Sequence, residues 1–519
     1  MAADIAVHRS IAHGEQLARQ ARRNPDSIAL SFEGTDLTYR ELDRRVNRLA
    51  RTLQRHGVTA GDRVSVLMYN RLEAVESYFA AVRIGAIAVP INFRLVAAEV
   101  RYILENSGAK VLIADAPMAA VTKDLSDLPL AAVLVTGGAA GAVGPHALDY
   151  ETALDNDDSS VEIAVADHDP AFIMYTSGTT GRPKGAVLTH QNLTMNTFNC
   201  NTLQAIEPTG EVWYSGLPLF HIGGLNGILM YLMVGGRSII APSGNFDAAA
   251  TIDIFERERV TSCYFVPTQW KELCAVPGVT DRELALRRIS WGASIAPPSV
   301  LEAMATTFPD IPTFNMFGQT EMSSVTCVLR GEDAIRKMGS VGQPITNVEA
   351  ILVDDEGTEV GVGEVGEIVY RGPTVMKEYW NNPDATAAAF AGGWFHSGDL
   401  CVKDDEGFIR VVDRAKDMII SGGENIYCAE VEAVIDQHPK VAEVALVGAP
   451  HPRWVETPIA VIVPANPADP PTEDEIVAFC RERLASYKKP TGIVIVDELP
   501  RTATGKIQKF VLRDSVGAR

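Results

Sequence analysis

The sequence predicts an α/β fold: a large N-terminal domain of βαβ-built subdomains with parallel sheets, plus a small mobile α+β C-terminal domain. Three observations lead to this prediction. Strand-like and helix-like segments alternate through the first hundred residues, as they do in βαβ units. Apolar residues make up 46% of the 519 residues, which is enough for a packed core. A charged junction at 413–417 is followed by a separate pattern of helices and strands.

The N-terminal elements are predicted in order from their boundaries. Residues 27–32 form a strand, and Thr38 with Glu41 makes a capping box that begins an amphipathic helix. Gly57 ends that helix. Further strands are predicted at 63–68, 86–91 and 111–114, and further helices at 72–84 and 96–105. The stretch 129–160, rich in Ala, Gly and Asp, is predicted to be a loose connection.

The domain boundary is predicted at the charged junction, so that residues 1–413 form the first domain and residues 414–519 the second. The second domain is expected to contain a helix after Cys428 and another from Thr472. Its strands are expected at 444–447, 459–463 and 493–496.

Charge and cysteine content exclude several classes of protein. The formal net charge of −20 argues against a general nucleic-acid binder. The segment from Arg481 to Arg519 is nevertheless basic, with nine Lys or Arg against four Asp or Glu. Seven cysteines without a CxxC pair suggest neither a zinc site nor a disulfide framework. Since the sequence shows no secretory signal and no apolar run of transmembrane length, we expect a cytoplasmic protein.

The strongest local motif is Tyr175-Thr-Ser-Gly-Thr-Thr-Gly-Arg-Pro-Lys-Gly185, which lies between two apolar runs. Its glycines let backbone amides approach an anion, its hydroxyls can donate hydrogen bonds, and Lys184 adds a positive charge. This composition suits a triphosphate. It is not a Walker A loop, because the residue after Lys184 is Gly185 and not Ser or Thr.

Further motifs follow along the chain. They are Trp291-Gly-Ala-Ser294, Asn315-Met-Phe-Gly-Gln-Thr-Glu321, Trp394-Phe-His-Ser-Gly-Asp399, Asp413-Arg-Ala-Lys-Asp417, Ser421-Gly-Gly-Glu-Asn425 and Pro500-Arg-Thr-Ala-Thr-Gly-Lys506. With these motifs in this order, the chain resembles the acyl-adenylate-forming superfamily over almost its whole length, and most of all a fatty-acid–CoA ligase of the actinobacterial type. One departure from the family's pattern is Val455, where glycine often follows the tryptophan.

The resemblance implies ATP, Mg²⁺ and coenzyme A as cofactors, and it implies roles for individual residues. The metal ligands would be Glu321 and Thr176, whose hard oxygens suit Mg²⁺. The nucleotide and coenzyme A would contact Thr176, Ser177, Gly178, Thr179, Thr180, Gly181, Lys184, Gly292, Ala293, Ser294, Phe317, Gly318, Gln319, Thr320, Asp399, Arg414, Gly422 and Gly423. The residues expected around the acid are Tyr214, His221, Gly223, Gly224, Trp291 and Met322.

The two domains would then differ in role. Residues 1–413 would bind ATP and the acyl group, and the small domain would carry Lys506, which resembles the lysine that stabilises charge during adenylation. Lys416 resembles the hinge position. His221 is expected to position the acyl carboxylate, although a lone histidine among apolar residues is more often a core residue. The motif Gly361-Val-Gly-Glu-Val-Gly366 matches a dinucleotide fingerprint, but it lies between two strand-like runs and is predicted to be a hairpin.

The predicted reaction is the activation of a carboxylic acid as acyl-adenylate with release of pyrophosphate, followed by transfer to the thiol of coenzyme A. A medium- or long-chain fatty acid or another apolar acid is the expected substrate. The alternatives are an aryl- or alicyclic-acid–CoA ligase, and a ligase that delivers the acyl group to a separate carrier protein. A luciferase-like oxygenase, which would share these motifs, is a further alternative. A non-enzymatic sensor would be expected to lack Lys506 or Glu321, and both are present. We expect a homodimer without a transmembrane segment, and a peripheral membrane contact is left open.

Overall fold

The computed structural model describes residues 9–122, 125, 127–139, 141, 143, 147–176, 183–244, 246–292, 296, 298–354, 356–414, 419–426, 428–500, 507 and 509–517. Within these residues the chain forms sheets of 13, eight and five strands with helices packed against them. The predicted α/β class, with a large N-terminal part and a smaller C-terminal part, is confirmed.

The strands are numbered in chain order. They are β1 (Ile28–Phe32), β2 (Thr35–Thr38), β3 (Arg63–Leu67), β4 (Ile87–Pro90), β5 (Ala109–Asp115), β6 (Ala132–Thr136), β7 (Leu148–Asp149), β8 (Pro170–Thr176), β9 (Lys184–Thr189), β10 (Val212–Ser215), β11 (Arg237–Ile240), β12 (Ser262–Phe265), β13 (Arg288–Gly292), β14 (Thr313–Gln319), β15 (Ser324–Arg330), β16 (Ser340–Pro344), β17 (Glu349–Val353), β18 (Val365–Arg371), β19 (Glu378–Tyr379), β20 (Phe395–Lys403), β21 (Ile409–Arg414), β22 (Ile419–Ser421), β23 (Glu424–Ile426), β24 (Val441–His451), β25 (Val455–Pro464) and β26 (Gly492–Ile495).

The helices are numbered in the same way. They are α1 (His13–Arg23), α2 (Tyr39–Arg55), α3 (Leu72–Arg83), α4 (Ala97–Ser107), α5 (Ala119–Thr122), α6 (Tyr150–Ala153), α7 (His190–Leu203), α8 (Ile222–Val234), α9 (Ala248–Arg257), α10 (Pro267–Cys274), α11 (Pro298–Thr307), α12 (Gly331–Ala334), α13 (Pro383–Ala389), α14 (Cys428–Ile435), α15 (Glu473–Arg481) and α16 (Lys509–Gly517). Among the helices of the described residues, none has the length and apolar composition that a membrane crossing requires.

The two large sheets combine parallel and antiparallel pairs. The 13-stranded sheet has the order β17-β18-β20-β21-β16-β15-β14-β13-β12-β10-β11-β1-β2. Its strands are parallel from β1 through β11, β10, β12 and β13 to β14, and antiparallel from β14 to β17. The eight-stranded sheet has the order β19-β9-β8-β4-β3-β5-β6-β7 and is parallel except where β9 pairs with β8 and β19.

The C-terminal sheet is built around β25, which pairs with β22, β24 and β26. β21 is a strand of the 13-stranded sheet, whereas β22 belongs to this smaller sheet, so the change of sheet falls between Arg414 and Ile419. The exact boundary between residues 413 and 414 stays a prediction.

Two predicted helix starts have side-chain capping in the structure. Thr38 and Glu41 form the expected capping box at α2, and Thr472 with Glu475 forms another at α15.

The region 349–371 is the expected hairpin, because β17 and β18 pair antiparallel around the glycine motif. The expectation of a loose connection at 129–160 is wrong in part. This stretch contains β6, β7 and α6, and the apolar run of β6 extends the eight-stranded sheet beside β5.

Candidate functional site

The glycine- and threonine-rich motif joins two strands of a hairpin. β8 ends at Thr176, β9 begins at Lys184, and these two residues are backbone partners in the antiparallel pair. Residues 177–182 lie outside the described part. The motif therefore begins and ends at one edge of the eight-stranded sheet.

Glu321 meets this edge from the other large sheet. It lies in a single turn, Thr320–Met322, directly after β14. The Thr176 hydroxyl donates a hydrogen bond to Glu321 Oε1 over 3.2 Å. Glu321 is 9% exposed. A carboxylate and a hydroxyl at this distance form a pair of hard oxygen ligands that fits Mg²⁺.

Tyr379 is a third member of this site, and no motif in the sequence indicates it. Its hydroxyl donates to Glu321 Oε1 over 3.0 Å, and Lys184 Nζ lies 5.0 Å from the centre of its ring. Tyr379 reaches this place because the two-residue strand β19 pairs with β9. It therefore links the predicted metal ligand to the predicted phosphate-binding lysine.

The remainder of the predicted motif around Glu321 is tightly packed. Gln319 ends β14 and Thr320 begins the turn. A Cβ on Gly318 would lie 1.8 Å from the carbonyl oxygen of Ser324, so only glycine fits there. Phe317 is partly buried against the main apolar core. These residues hold the turn that carries Glu321 close to β14.

Gly292 closes β13 beside β14. A Cβ at this position would lie 2.3 Å from the hydroxyl oxygen of Tyr264 and 2.4 Å from the carbonyl oxygen of Met316. The neighbouring Ala293 and Ser294 lie outside the described residues. Tyr264 thus lies against Gly292, a residue predicted to contact the nucleotide or coenzyme A.

Two residues that were expected around the acid lie on the other face of the sheet. Tyr214 and Trp291 pack in a core cluster with residues of α9, α10 and α11. Trp213 instead stacks on Tyr231 of α8, and Tyr264 packs with the first core cluster. The reason is that successive side chains of a strand point to opposite faces. The structure therefore does not bring Tyr214 and Trp291 together with His221, which precedes α8.

His221, Gly223, Gly224 and Met322 lie on the α8 side, and their place around the acid stays a prediction. His221 is the N-cap residue of α8. A Cβ on Gly224 would lie 2.2 Å from the carbonyl oxygen of Pro218, so glycine there allows the helix to begin tightly. Gly223 lies near Leu217, and Met322 is fully buried.

His221 also contacts the C-terminal part. Its Nε2 lies 3.4 Å from Glu424 Oε2, and Glu424 also forms an ion pair with Arg94. Burial alone would raise the pKa of the Glu424 carboxyl, but the hydrogen bond with His221 and the charges of Arg94 and Lys488 outweigh it and lower the pKa. Glu424, which lies between the two parts of the chain, is therefore favoured in its carboxylate form.

Gly422 and Gly423 form the turn before Glu424, with φ of 59° and 82°. A Cβ on Gly423 would lie 3.5 Å from Val266, which directly precedes α10. A Cβ on Gly422 would lie 2.7 Å from the indole ring of Trp454. The glycine turn thus lies against the N-terminal part, and its contribution to the site stays a prediction.

A buried lysine forms a second polar contact between the two parts. Lys488 Nζ lies 2.7 Å from Glu430 in α14 and 3.0 Å from Glu99 in α4. Lys488 is 2% exposed. Burial raises the pKa of Glu430 to about 7; Lys488 opposes the shift, and the nearby Glu99 carboxylate adds to it. Tyr487 extends the same contact, because its hydroxyl accepts a hydrogen bond from Asn92.

Asp399 is buried on β20, where its backbone partner is Arg414 on β21. These two residues, both expected to contact the nucleotide or coenzyme A, are therefore adjacent in the sheet. The remaining predicted residues lie outside the described part of the chain. They are Ser177, Gly178, Thr179, Thr180, Gly181, Ala293, Ser294, Lys416 and Lys506.

Comparison with known families agrees with this geometry. Residues 17–380 match the model of the AMP-binding enzyme family, and residues 430–506 match that of the AMP-binding enzyme C-terminal domain. The chain belongs to the AMP-binding enzyme family. Membership confirms the expected superfamily and enzyme class, an AMP-forming acid–thiol ligase, together with the expected use of ATP, Mg²⁺ and coenzyme A.

Relatives of this AMP-binding enzyme act on different acids. A feruloyl-CoA synthase of an Amycolatopsis species is 40% identical, over 97% of this chain and 99% of the relative. An indoleacetate–CoA ligase of Aromatoleum aromaticum and the long-chain-fatty-acid–CoA ligase FadD13 of Mycobacterium tuberculosis are each 36% identical, over 97% of this chain and 98% of each relative.

Solved structures of the o-succinylbenzoate CoA synthetase MenE from Bacillus subtilis share the fold. A double mutant of MenE bound to its product analogue OSB-NCoA matches with a TM-score of 0.84 at 32% identity, over 96% of this chain and 98% of MenE. MenE in complex with the acyl-adenylate intermediate OSB-AMP matches with a TM-score of 0.69 at the same identity and coverage.

Proposed function

We propose that this AMP-binding enzyme is an acid–CoA ligase that activates an apolar carboxylic acid as acyl-adenylate at the Glu321 site and then transfers the acyl group to coenzyme A. The observation that carries this proposal is the convergence of Thr176, Tyr379 and Glu321 within 3.2 Å. Three separate stretches of the chain meet there in a form suited to MgATP.

The first half-reaction requires charge neutralisation more than proton transfer. A substrate carboxylate is ionised at pH 7, so it can attack the α-phosphorus without a general base. Glu321 and Thr176 would hold Mg²⁺, which lowers the negative charge of the phosphates when bound. Lys184 begins β9 next to this site, and Lys506 would add a second positive charge during adenylation.

The second half-reaction is the transfer of the acyl group to a thiol, and the position of the C-terminal part supports it. The fold matches the OSB-NCoA complex of MenE better than the OSB-AMP complex, with TM-scores of 0.84 and 0.69. In this arrangement the Gly422–Gly423 turn lies beside Val266, where small residues leave room for a pantetheine arm. We propose that the C-terminal part rotates about Lys416 between the two half-reactions. Residues 1–413 and 414–519 would then move as separate domains.

The half-reactions allow a direct test. We expect Lys506→Ala to slow pyrophosphate release by at least about 10²–10³, the loss typical of one transition-state stabiliser. Thioester formation from supplied acyl-adenylate and coenzyme A should continue. Lys489→Ala is the matched control, because Lys489 is a partly exposed lysine that, among the described residues, forms hydrogen bonds within its own turn, to Ser486. Equal loss in both half-reactions would remove the role given to Lys506.

For the acid, we propose a compact aromatic or arylalkenoic acid. The sheet face towards α8 carries the ring of Tyr264, whose hydroxyl lies next to Gly292. Flat aromatic surfaces favour an aromatic ligand. The relative that acts on ferulate supports the same class. A fatty acid is the second candidate. It is the substrate expected from the sequence, and the relative FadD13, a long-chain-fatty-acid–CoA ligase, matches this chain over a similar length.

A substrate panel separates these candidates. Pyrophosphate release would be measured with ferulate, indoleacetate, benzoate and a series of saturated fatty acids. We expect kcat/KM for the best aryl acid to exceed that for any fatty acid by at least about tenfold, since even one methylene that fits or fails to fit an apolar pocket is worth about 1–3 kcal/mol. A higher value for a long-chain fatty acid would reject the aryl proposal. Thioester formation with coenzyme A as the sole acceptor tests the acceptor against a carrier protein.

A further inference from the structure

Helix α7 has an unusual composition for a buried helix. It contains Asn192, Asn196, Asn199 and Asn201, all at most 8% exposed. Asparagine is a poor helix former, and burying an amide without partners is costly. The hydrogen bonds of these side chains explain why asparagine occurs at buried positions of α7.

Asn196 spans the turn that follows Glu321. Its Nδ2 donates to the carbonyl oxygens of Met322 over 3.1 Å and of Val325 over 2.7 Å. Its Oδ1 accepts a hydrogen bond from the backbone N–H of Val325 over 3.3 Å. A single, fully buried amide therefore fixes both ends of a four-residue segment.

The segment held by Asn196 is one that the backbone does not favour. Ser323 and Ser324 have φ of 61° and 116°, in a region that non-glycine residues rarely adopt. Such a conformation persists only when the surroundings determine it. The surroundings here are Asn196 on one side and Gly318 on the other, where the carbonyl of Ser324 packs closely.

The same helix supports the opposite side of Glu321. Asn192 Nδ2 donates to the carbonyl oxygen of Pro373 over 2.7 Å. Three residues further on, the N–H of Met376 donates to the carbonyl oxygen of Glu321 over 2.7 Å. The backbone on both sides of Glu321 is thus connected to α7, although no residue of α7 was part of the predicted site.

We propose that Asn196 is a positioning residue of the Glu321 site: it holds the strained 322–325 turn so that the Glu321 carboxylate faces Thr176 and can bind the Mg²⁺ of MgATP. The inference rests on the proposed metal role of Glu321. Groups that orient a metal ligand typically change metal affinity by 10–100-fold when they are removed.

The test measures Mg²⁺ dependence without catalysis. The increase in Tm on adding ATP, with no acid present, is titrated against Mg²⁺ for the full chain and its variants. We expect Asn196→Ala to raise the half-maximal Mg²⁺ concentration by about 10–100-fold. Asn196→Ser, which keeps one donor, should give a smaller increase, and it serves as the test if Asn196→Ala does not fold.

Asn199→Ala is the matched control. Asn199 lies one helical turn further on and is equally buried, but it bonds to Asn347 and does not touch the turn. It should lower the Tm without changing the Mg²⁺ requirement.

Two results would overturn the inference. If the Asn196 variants lose stability but keep the wild-type Mg²⁺ requirement, while Glu321→Gln raises it, Asn196 is only structural and the metal role of Glu321 stands. If Glu321→Gln also leaves the Mg²⁺ requirement unchanged, the metal role of Glu321 is wrong and the inference falls with it.

Discussion

The contact between Lys488 and Glu99 leads to a specific prediction about the two half-reactions. Glu99 belongs to the N-terminal part and Lys488 to the C-terminal part, so their 3.0 Å contact exists only in an arrangement like the one described. If that arrangement serves thioester formation, weakening the contact should slow thioester formation and leave adenylation unchanged. The perturbation is Glu99→Gln. Glutamine can still accept the hydrogen bond that the N–H of Val96 donates at the start of α4, so the helix cap is retained.

The expected magnitude follows from the contacts of Lys488. A hydrogen bond to a charged group contributes about 1.5–3 kcal/mol. Lys488 keeps its other partner, Glu430, in the variant. We therefore take the lower half of this range, about 1.5–2 kcal/mol, which corresponds to roughly 10–30-fold in the population of this arrangement because about 1.4 kcal/mol is tenfold.

The assay is single-turnover thioester formation from supplied acyl-adenylate, with pyrophosphate release measured in parallel. We expect thioester formation to slow by roughly tenfold or more in Glu99→Gln while pyrophosphate release stays within about twofold. Glu105→Gln is the matched control, since Glu105 lies on the same helix and pairs at 3.3 Å with Arg101 four residues before it. An equal loss in both half-reactions, or none in either, would refute the reasoning.

A pH profile adds a second readout of the same contact. Glu430 has a pKa raised to about 7, so its ionised form is lost as the pH falls through 7. Thioester formation in the wild type should then decline below pH 7, because Lys488 loses one of its two carboxylate partners. In Glu99→Gln the inflection should move to lower pH, since the Glu99 charge that helps to raise the pKa of Glu430 is gone. An unchanged inflection would mean that the two carboxylates do not act together on Lys488.

Three further predictions concern single sites. Val455 has φ of 71°, which costs an L-residue about 1–2 kcal/mol, so Val455→Gly should raise the free energy of unfolding by up to about 1 kcal/mol in thermal denaturation, whereas Val455→Ala should not. Burial lowers the pKa of His190 to about 4, so the folded state loses stability as the pH falls below about 6.5. His190 alone should account for a loss that approaches about 3 kcal/mol by pH 4, at about 1.4 kcal/mol per pH unit, and the contacting His13, whose pKa is also lowered by burial, should add to it; hydrogen exchange of α1 should show the loss. His190→Gln should reduce this pH dependence, and a variant that keeps the wild-type slope would exclude the histidine as its source. Tyr379→Phe removes the hydroxyl that donates to Glu321, so KM for MgATP should rise by about tenfold while KM for the acid stays constant; equal changes in both would argue against a specific role.

Local signals explain which parts of the fold could be predicted from sequence. The helix start at Thr38 followed from a capping box with Glu41, and the predicted helix start at Thr472 has a capping box with Glu475; each box involves residues only three positions apart. The hairpin around 361–366 followed from two adjacent strand-like runs. In each case the interacting residues are close in sequence. The stretch 129–160 was misjudged because its composition is that of a loop, while the pairing of β6 with β5 depends on a strand twenty residues away.

The candidate site shows the limit of local signals more clearly. The motifs identified Thr176 and Glu321, but Tyr379, which contacts Glu321, lies on a two-residue strand that no periodicity could reveal. Tyr214 and Trp291 are predicted to surround the acid. Because side chains alternate along β10, β12 and β13, these two residues lie on one face of the sheet, and Trp213 and Tyr264 lie on the face towards α8. The sequence motifs indicate which strands lie near the acid. Which of two neighbouring residues on a strand faces the acid depends on the sheet face that α8 covers.

The position of Glu321 explains why motifs so far apart must occur together. Glu321 follows β14 of the 13-stranded sheet, whereas Thr176 ends β8 and Tyr379 lies on β19 of the eight-stranded sheet. The oxygen ligands proposed for Mg²⁺ therefore come from two sheets, and neither sheet alone contains the pair. Binding of MgATP at this place would stabilise the packing of one sheet against the other, because a ligand stabilises the state to which it binds. The hydrogen bonds from α7 to the turn after Glu321 fit the same arrangement, since α7 directly follows β9 and connects the eight-stranded sheet to the end of β14.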